Sequence, residues 1–233
     1  SLKNPSRELD VHMAKDGANM VCADCHTFNA HQPSGSRYAA TAKDKHGLDL
    51  PKDDHNHATC ESCHGFTPHK EAKINNHANK VACQTCHIPE FARGGIATKT
   101  LWDWSTAGER DAEGKQVTRK DAKGHVIYES RKGSFTVAEN VKPEYLWFNG
   151  QVNYTLAEDK IADPEKIVQV NSIGGSPGDG KSQVWPFKVF RGSQPYDKEH
   201  RTLVKPHVAG NDDTAYWKNL VWDKAVATGM ASA

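Results

Sequence analysis

Cys60-Glu61-Ser62-Cys63-His64 and Cys83-Gln84-Thr85-Cys86-His87 decide how this chain is built, and Cys22-Ala23-Asp24-Cys25-His26 repeats their pattern upstream. Each reads C-x-x-C-H, and together they use all six cysteines. Two thiols three positions apart reach the two vinyl-derived carbons of one haem and form thioethers. The histidine that follows then lies under the iron as proximal ligand. C-x-x-C pairs also build zinc ribbons, redox-active disulfides and structural disulfides. A zinc ribbon does not require a histidine after every pair, however, and a thioredoxin-like site occurs once, in a βαβ setting. Three such motifs among surplus histidines point to three covalently bound haem c groups, with His26, His64 and His87 as proximal ligands.

Each iron also needs a sixth ligand unless it is a substrate site. Ten of the 13 histidines lie outside the motifs, and seven of these fall between positions 12 and 77: His12, His31, His46, His55, His57, His69 and His77. Chance would spread them along the chain. His31 and His69 each sit five residues after a proximal histidine, too near to swing over the same iron, so each is expected to reach a neighbouring haem. His55, His57 and His77 precede an attachment motif, another setting for ligands of adjacent haems. His125 and His200 lie in charged stretches and read as solvated surface residues. His207, between Pro206 and Val208, is intermediate. Bis-histidine iron is saturated, which suits electron transfer. Only 18 residues lie between His64 and Cys83, which brings the second and third haems close together.

The 233 residues are 36% hydrophobic, with a mean hydropathy of −0.75. A chain this polar struggles to offset its ordering entropy by burial alone. Haem, a large and mostly apolar plate, would supply part of the core. The 30 Lys and Arg residues balance 29 Asp and Glu, which argues against nucleic acid and anionic membrane as partners. No apolar run approaches transmembrane length, and no signal peptide is present. Because haem is attached covalently outside the cytoplasm, a periplasmic or extracellular location is expected. The start at Ser1-Leu2-Lys3 then reads as a processed or truncated end.

Composition changes sharply at Glu90: all six cysteines and ten histidines precede it. Region 1–90 is read as a loop-rich, tri-haem cytochrome c segment with short helices carrying the motifs. Region 91–233 is read as an α+β haem-free elaboration packed on the haems, with two hairpins, further strands and a C-terminal helix. The first hairpin joins Val126-Ile127-Tyr128 to Phe135-Thr136-Val137. The second joins Tyr145–Phe148 to Gln151–Tyr154 through Asn149-Gly150, a pair suited to a primed turn. Further strands are expected over Ile167–Ile173 and Val184–Phe190. A helix is expected from Asp213 to Thr228, capped by Asp212 or Asp213 and stopped by Gly229.

The runs Leu9–Met13, Ala58–Gly65, Ala82–Pro89, Phe91–Gly95, Trp102–Gly108, Pro143–Gly150 and Arg191–Asp197 resemble the octahaem tetrathionate reductase family, and the likeness covers essentially the whole chain. It implies a periplasmic oxidoreductase with eight c-type haems, mostly bis-histidine, in stacked and perpendicular pairs. The family's activities are reduction of tetrathionate, nitrite and hydroxylamine. By this resemblance His12, His31, His46, His55, His69, His77 and His207 fall at histidines of the family pattern, and His57 does not. The family's substrate haem hangs on a C-x-x-C-K motif, which is absent here. No catalytic residue can therefore be carried over.

The chain is thus expected to be the conducting middle of such a reductase. Its partners would be other haem-bearing segments and a donor such as a quinol-linked cytochrome. The alternative is a self-contained tri-haem carrier. If His77 ligates an iron, His77→Met raises the potential of one haem in a redox titration; an unchanged set of potentials removes it from the ligands.

Overall fold

The computed structural model describes residues 3–26, 28–29, 32–33 and 59–231. The candidate ligands His31, His46 and His55, and the disfavoured His57, lie outside these. The chain forms two compact units that interleave in sequence: Ser1–Ile96, Glu139–Tyr154 and Asn171–Lys188 make the first, and Ala97–Ala138, Thr155–Val170 and Val189–Ala233 the second. No helix among the described residues is long and apolar enough to cross a membrane.

Helices in the first unit are very short: α1 (Cys22–Cys25), α2 (Cys60–His64), α3 (Ala72–His77) and α4 (Cys83–His87). Each attachment motif therefore occupies about one helical turn, as the loop-rich reading expects. Asp24 caps α1 by accepting from the Val21 N–H at 2.7 Å. Helix α4 leans on a small sheet: Ala82 N donates to Val184 O (3.0 Å), Val184 N to Lys80 O (2.7 Å) and Thr85 Oγ1 to Val184 O (2.7 Å). In that sheet Glu144–Phe148 runs antiparallel to Gln183–Phe187. Ala82, Phe148 and Trp185 are buried at the junction, with Val152, Ile173 and Phe187 packed around them.

This pairing corrects the second expected hairpin. Both strands exist, but Glu144–Phe148 pairs with Gln183–Phe187, and Val152–Tyr154 pairs with Asn171–Ile173. A type I′ turn needs positive φ at both central residues. Gly150 has it (φ +92), whereas Asn149 is not among the positive-φ residues. The Asn149 side chain instead accepts from Gln151 N at 3.0 Å. Gly174 then takes the Asn149 N–H and donates to Gln151 O.

The second unit is built on a five-stranded sheet in the order Arg191–Ser193, Thr98–Asp103, Gly133–Ala138, Val126–Glu129, Thr118–Lys120. Its first pair is parallel and the rest antiparallel. The Val126–Glu129/Gly133–Ala138 pair is the first expected hairpin. An aromatic cluster packs here: Trp102 lies 4.9 Å from Trp104 and 5.4 Å from Phe135, and Trp222 lies 4.1 Å from Tyr216 between ring centroids.

The single expected C-terminal helix is divided into α5 (Tyr216–Asn219) and α6 (Trp222–Ala231). Leu220 between them is left-handed at φ +62, and Asn219 Oδ1 takes the Val221 N–H at 2.7 Å. Asp212 does not cap a helix; it accepts from Thr214 N at 2.9 Å in a turn, and Asp213 pairs with Lys224 at 2.6 Å. Gly229 does not end α6 either. It lies inside the helix, where only glycine fits, because a Cβ would sit 1.8 Å from Lys205 O and 2.7 Å from His207 N. Gly229→Ala is therefore expected to destabilise the second unit by about 1–3 kcal/mol, the usual cost of overpacking. Gly178→Ala, where a Cβ meets nothing within 4 Å, should change stability by less than about 0.5 kcal/mol. Thermal or denaturant unfolding checks the pair; equal effects would contradict the role given to Gly229.

Candidate functional site

Helices α2 and α4 share one orientation of burial, and α1 reverses it, with Cys22 exposed and Cys25 half-buried. In α2 and α4 the first cysteine and the residue after it are half-buried, while the second cysteine and the histidine are exposed. All six cysteines are free of disulfides, the state that thioether formation needs. Apolar side chains flank the motifs without cover: Phe66 is 73% exposed and Val21 61%, and Val11, Ile74 and Ile88 are also exposed. Singly such residues are ordinary. Clustered along the attachment segments, they suit the face of a porphyrin.

Two histidine pairs face one another. The His12 and His64 ring centroids are 6.2 Å apart at 66° between planes, and those of His69 and His87 are 5.8 Å apart at 21°. A metal–imidazole bond of about 2 Å on each side, with about 1 Å more to each ring centre, sets two axial imidazoles roughly 6 Å apart. Both pairs have room for one iron. In each, a C-x-x-C-H histidine meets a histidine from outside the motifs, and His69 faces the histidine of the neighbouring motif, not that of its own. Among the described residues no group of three or more His, Cys, Asp or Glu side chains converges on one ion, the convergence that a zinc ribbon requires. The donor set fits haem.

The non-motif histidines are held by their own neighbours. The backbone N–H groups of His12 and Met13 both donate to Asp10 Oδ1, at 2.9 and 3.1 Å, and His12 O accepts from Met20 N at 2.8 Å. His69 is gripped from α3: its N–H donates to Asn75 Oδ1 at 3.0 Å, and Asn75 Nδ2 donates to its carbonyl at 2.7 Å. Its Nδ1 is buried with no hydrogen-bond partner among the described residues, the mark of a group still to be satisfied. Ligating histidines owe their orientation to such surroundings.

The remaining candidates are placed as follows. His26 follows α1, its N–H closing onto Cys22 O. His77 ends α3, and its carbonyl accepts from Lys80 and Val81. His207 belongs to the second unit, where Nε2 lies 3.1 Å from Asp212 Oδ2. His125 and His200 pair with Asp121 and Asp197 at 3.0 and 2.8 Å; His200 is exposed, whereas His125 is half-buried, unlike the solvated residue expected.

The motifs also touch each other. The Cys60 and Cys83 thiols share a hydrogen bond, which pushes the Cys60 thiol up and brings Cys83 down to about 7. Gln84 Nε2 reaches Cys60 Sγ at 3.7 Å. Burial pushes the Cys25 thiol up, and the charges of Cys63, Asp24, Asp10 and Cys22 add to it. The second motif therefore has contact with the third and electrostatic interaction with the first.

Sequence reasoning missed Asn75, Glu61 and Gln84. The second position of each C-x-x-C-H was the available signal, because it shares a helical turn with the first cysteine. Gly175–Ser182 also matches G-x-x-x-x-G-K-S, a phosphate-loop pattern. No helix follows it, and Asp179 occupies the cradle, accepting from Lys181 N (2.9 Å), Ser182 N (2.7 Å) and Ser176 N (3.2 Å). A carboxylate of the chain stands where a phosphate would bind.

The profile of a family described as "Cytochrome c bacterial" matches residues 99–233. The chain is also similar to a solved structure, that of octaheme cytochrome c from Shewanella oneidensis. It shares 37% identity with that protein at a TM-score of 0.82, covering 100% of this chain and 49% of the other. The chain thus spans about half the length of that relative. No curated protein matches it.

Asn75→Ala removes both bonds to the His69 backbone and should cost about 1–3 kcal/mol. In haem-loaded protein it should also convert part of one ferric haem from low spin to high spin by electron paramagnetic resonance. An unaltered low-spin spectrum would separate Asn75 from ligand positioning.

Proposed function

The chain belongs to the bacterial cytochrome c family, and from that membership we propose that it conducts electrons through three covalently bound haem c groups, each iron held by two histidines, as part of a periplasmic octahaem reductase. The observation that carries this reading is the spacing of the two facing pairs, His12 with His64 and His69 with His87. Cys60 and Cys63 would hold the haem of the first pair, and Cys83 and Cys86 that of the second. Cys22, Cys25 and His26 would hold the third haem, its distal ligand drawn from His31, His46, His55 or His77. His207 is kept for an iron bound by sequence beyond this chain.

When bound, the haems supply reversible one-electron chemistry at iron. The protein's part is to keep both axial positions filled, to set the potential through ligand, burial and nearby charge, and to keep the groups close. Two histidines leave no open position for a substrate. Reduction of tetrathionate, nitrite or hydroxylamine is accordingly assigned to a further haem in the parent molecule, fed by a donor such as a quinol-linked cytochrome. The share of the octaheme cytochrome that this chain spans, 49%, supports a part of a larger assembly.

A pyridine haemochrome assay should count three haems per chain, with a wholly low-spin ferric spectrum. Replacing Cys83 and Cys86 together by alanine should reduce the count to two. Protein matured with the haem-attachment machinery that shows no Soret absorption would overturn the reading, as would a high-spin signal from one of the three haems in the wild type.

A further inference from the structure

The meeting of the second and third motifs has an internal symmetry. Helices α2 and α4 touch through their N-terminal halves, where Cys60, Glu61, Cys83 and Gln84 are all half-buried. The first cysteines share a hydrogen bond. Gln84, at the second position of its motif, donates to the first cysteine of the other at 3.7 Å. Glu61 holds the equivalent position in its own motif, and its Oε2 is buried. Its carboxylate acts electrostatically on Cys60 and also on Cys83. The symmetry is broken at one point: one side presents an anion and the other a neutral amide of the same shape.

We propose that Glu61 is a shared electrostatic control for the two haems attached through Cys60/Cys63 and Cys83/Cys86, lowering both potentials together. The proposal rests on the haem-bearing reading above. Ferric haem carries one positive charge more than ferrous haem, so a nearby carboxylate favours the oxidised form. A half-buried charge is screened less by water and salt than the lysines of the surface. Because Glu61 sits at the junction, moving an electron from one haem of the pair to the other changes its interaction little. Adding an electron to the pair from outside changes it fully. Glu61 therefore sets the level of the pair without making a step inside it.

Spectroelectrochemical titration of haem-loaded Glu61→Gln, which keeps size and shape, tests this. Two of the chain's potentials should rise together, by more than the third. The reciprocal Gln84→Glu places a second anion at the mirror position and should lower the same two. The proposal is overturned if one potential moves alone, if all three move alike, or if none moves. Protein without bound haem would instead refute the functional reading on which the proposal stands.

Discussion

On the proposed function, covalent attachment is the constraint on which the first unit depends, because its helices are too short to hold themselves. Nucleating a helix costs more than a single turn returns, and isolated segments under about 12 residues are marginal in water. Helices of four to six residues carry the motifs and the segment between them. The apolar interior available to fix them is small, centred on Ala82, Phe148 and Trp185. Helix α4 has the Gln183–Phe187 strand as a floor, and α1 has the Asp24 cap. A plate tethered at two points to one turn and ligated by a histidine from elsewhere would join these fragments. It explains why Phe66 and Val21 can remain open in the polypeptide alone.

The second unit has its own order. Its sheet carries a cluster of Trp102, Trp104, Phe135, Tyr216 and Trp222, and its buried Ser130 accepts from Val117 N and donates to Glu109 O. The family profile falls on residues 99–233, which contain no cysteine. The physical demands on the two regions differ. Haem attachment fixes a few residues at short spacing and leaves the intervening chain free, whereas a packed aromatic interior constrains many positions weakly.

That difference also decides how much could be read in advance. The motifs, their short helices and the Val126–Ala138 hairpin follow from neighbours in sequence, so they were legible. The pairing of Glu144–Phe148 was not, because its partner lies more than 30 residues on and the Asn149-Gly150 pair pointed to a local one. Gly229 resembled a helix stop until the Lys205 carbonyl was seen against it. The clustered histidines pointed to ligation as a group but not to pairs: His12 and His64 meet across a long separation, and the sequence between them gives no periodicity to follow. Asn75 grips His69 from a helix whose sequence, Ala72–His77, gives no sign of it.

The interleaving of the units has a consequence in time. Thr85 and Val184, which bond at 2.7 Å, are 99 positions apart. At the pace of synthesis this chain length takes roughly 5–20 s to appear. Throughout that interval Cys83 and Cys86 lack the strand on which their helix later rests. Helix α4 therefore gains its floor only after the second unit's first strands have been made.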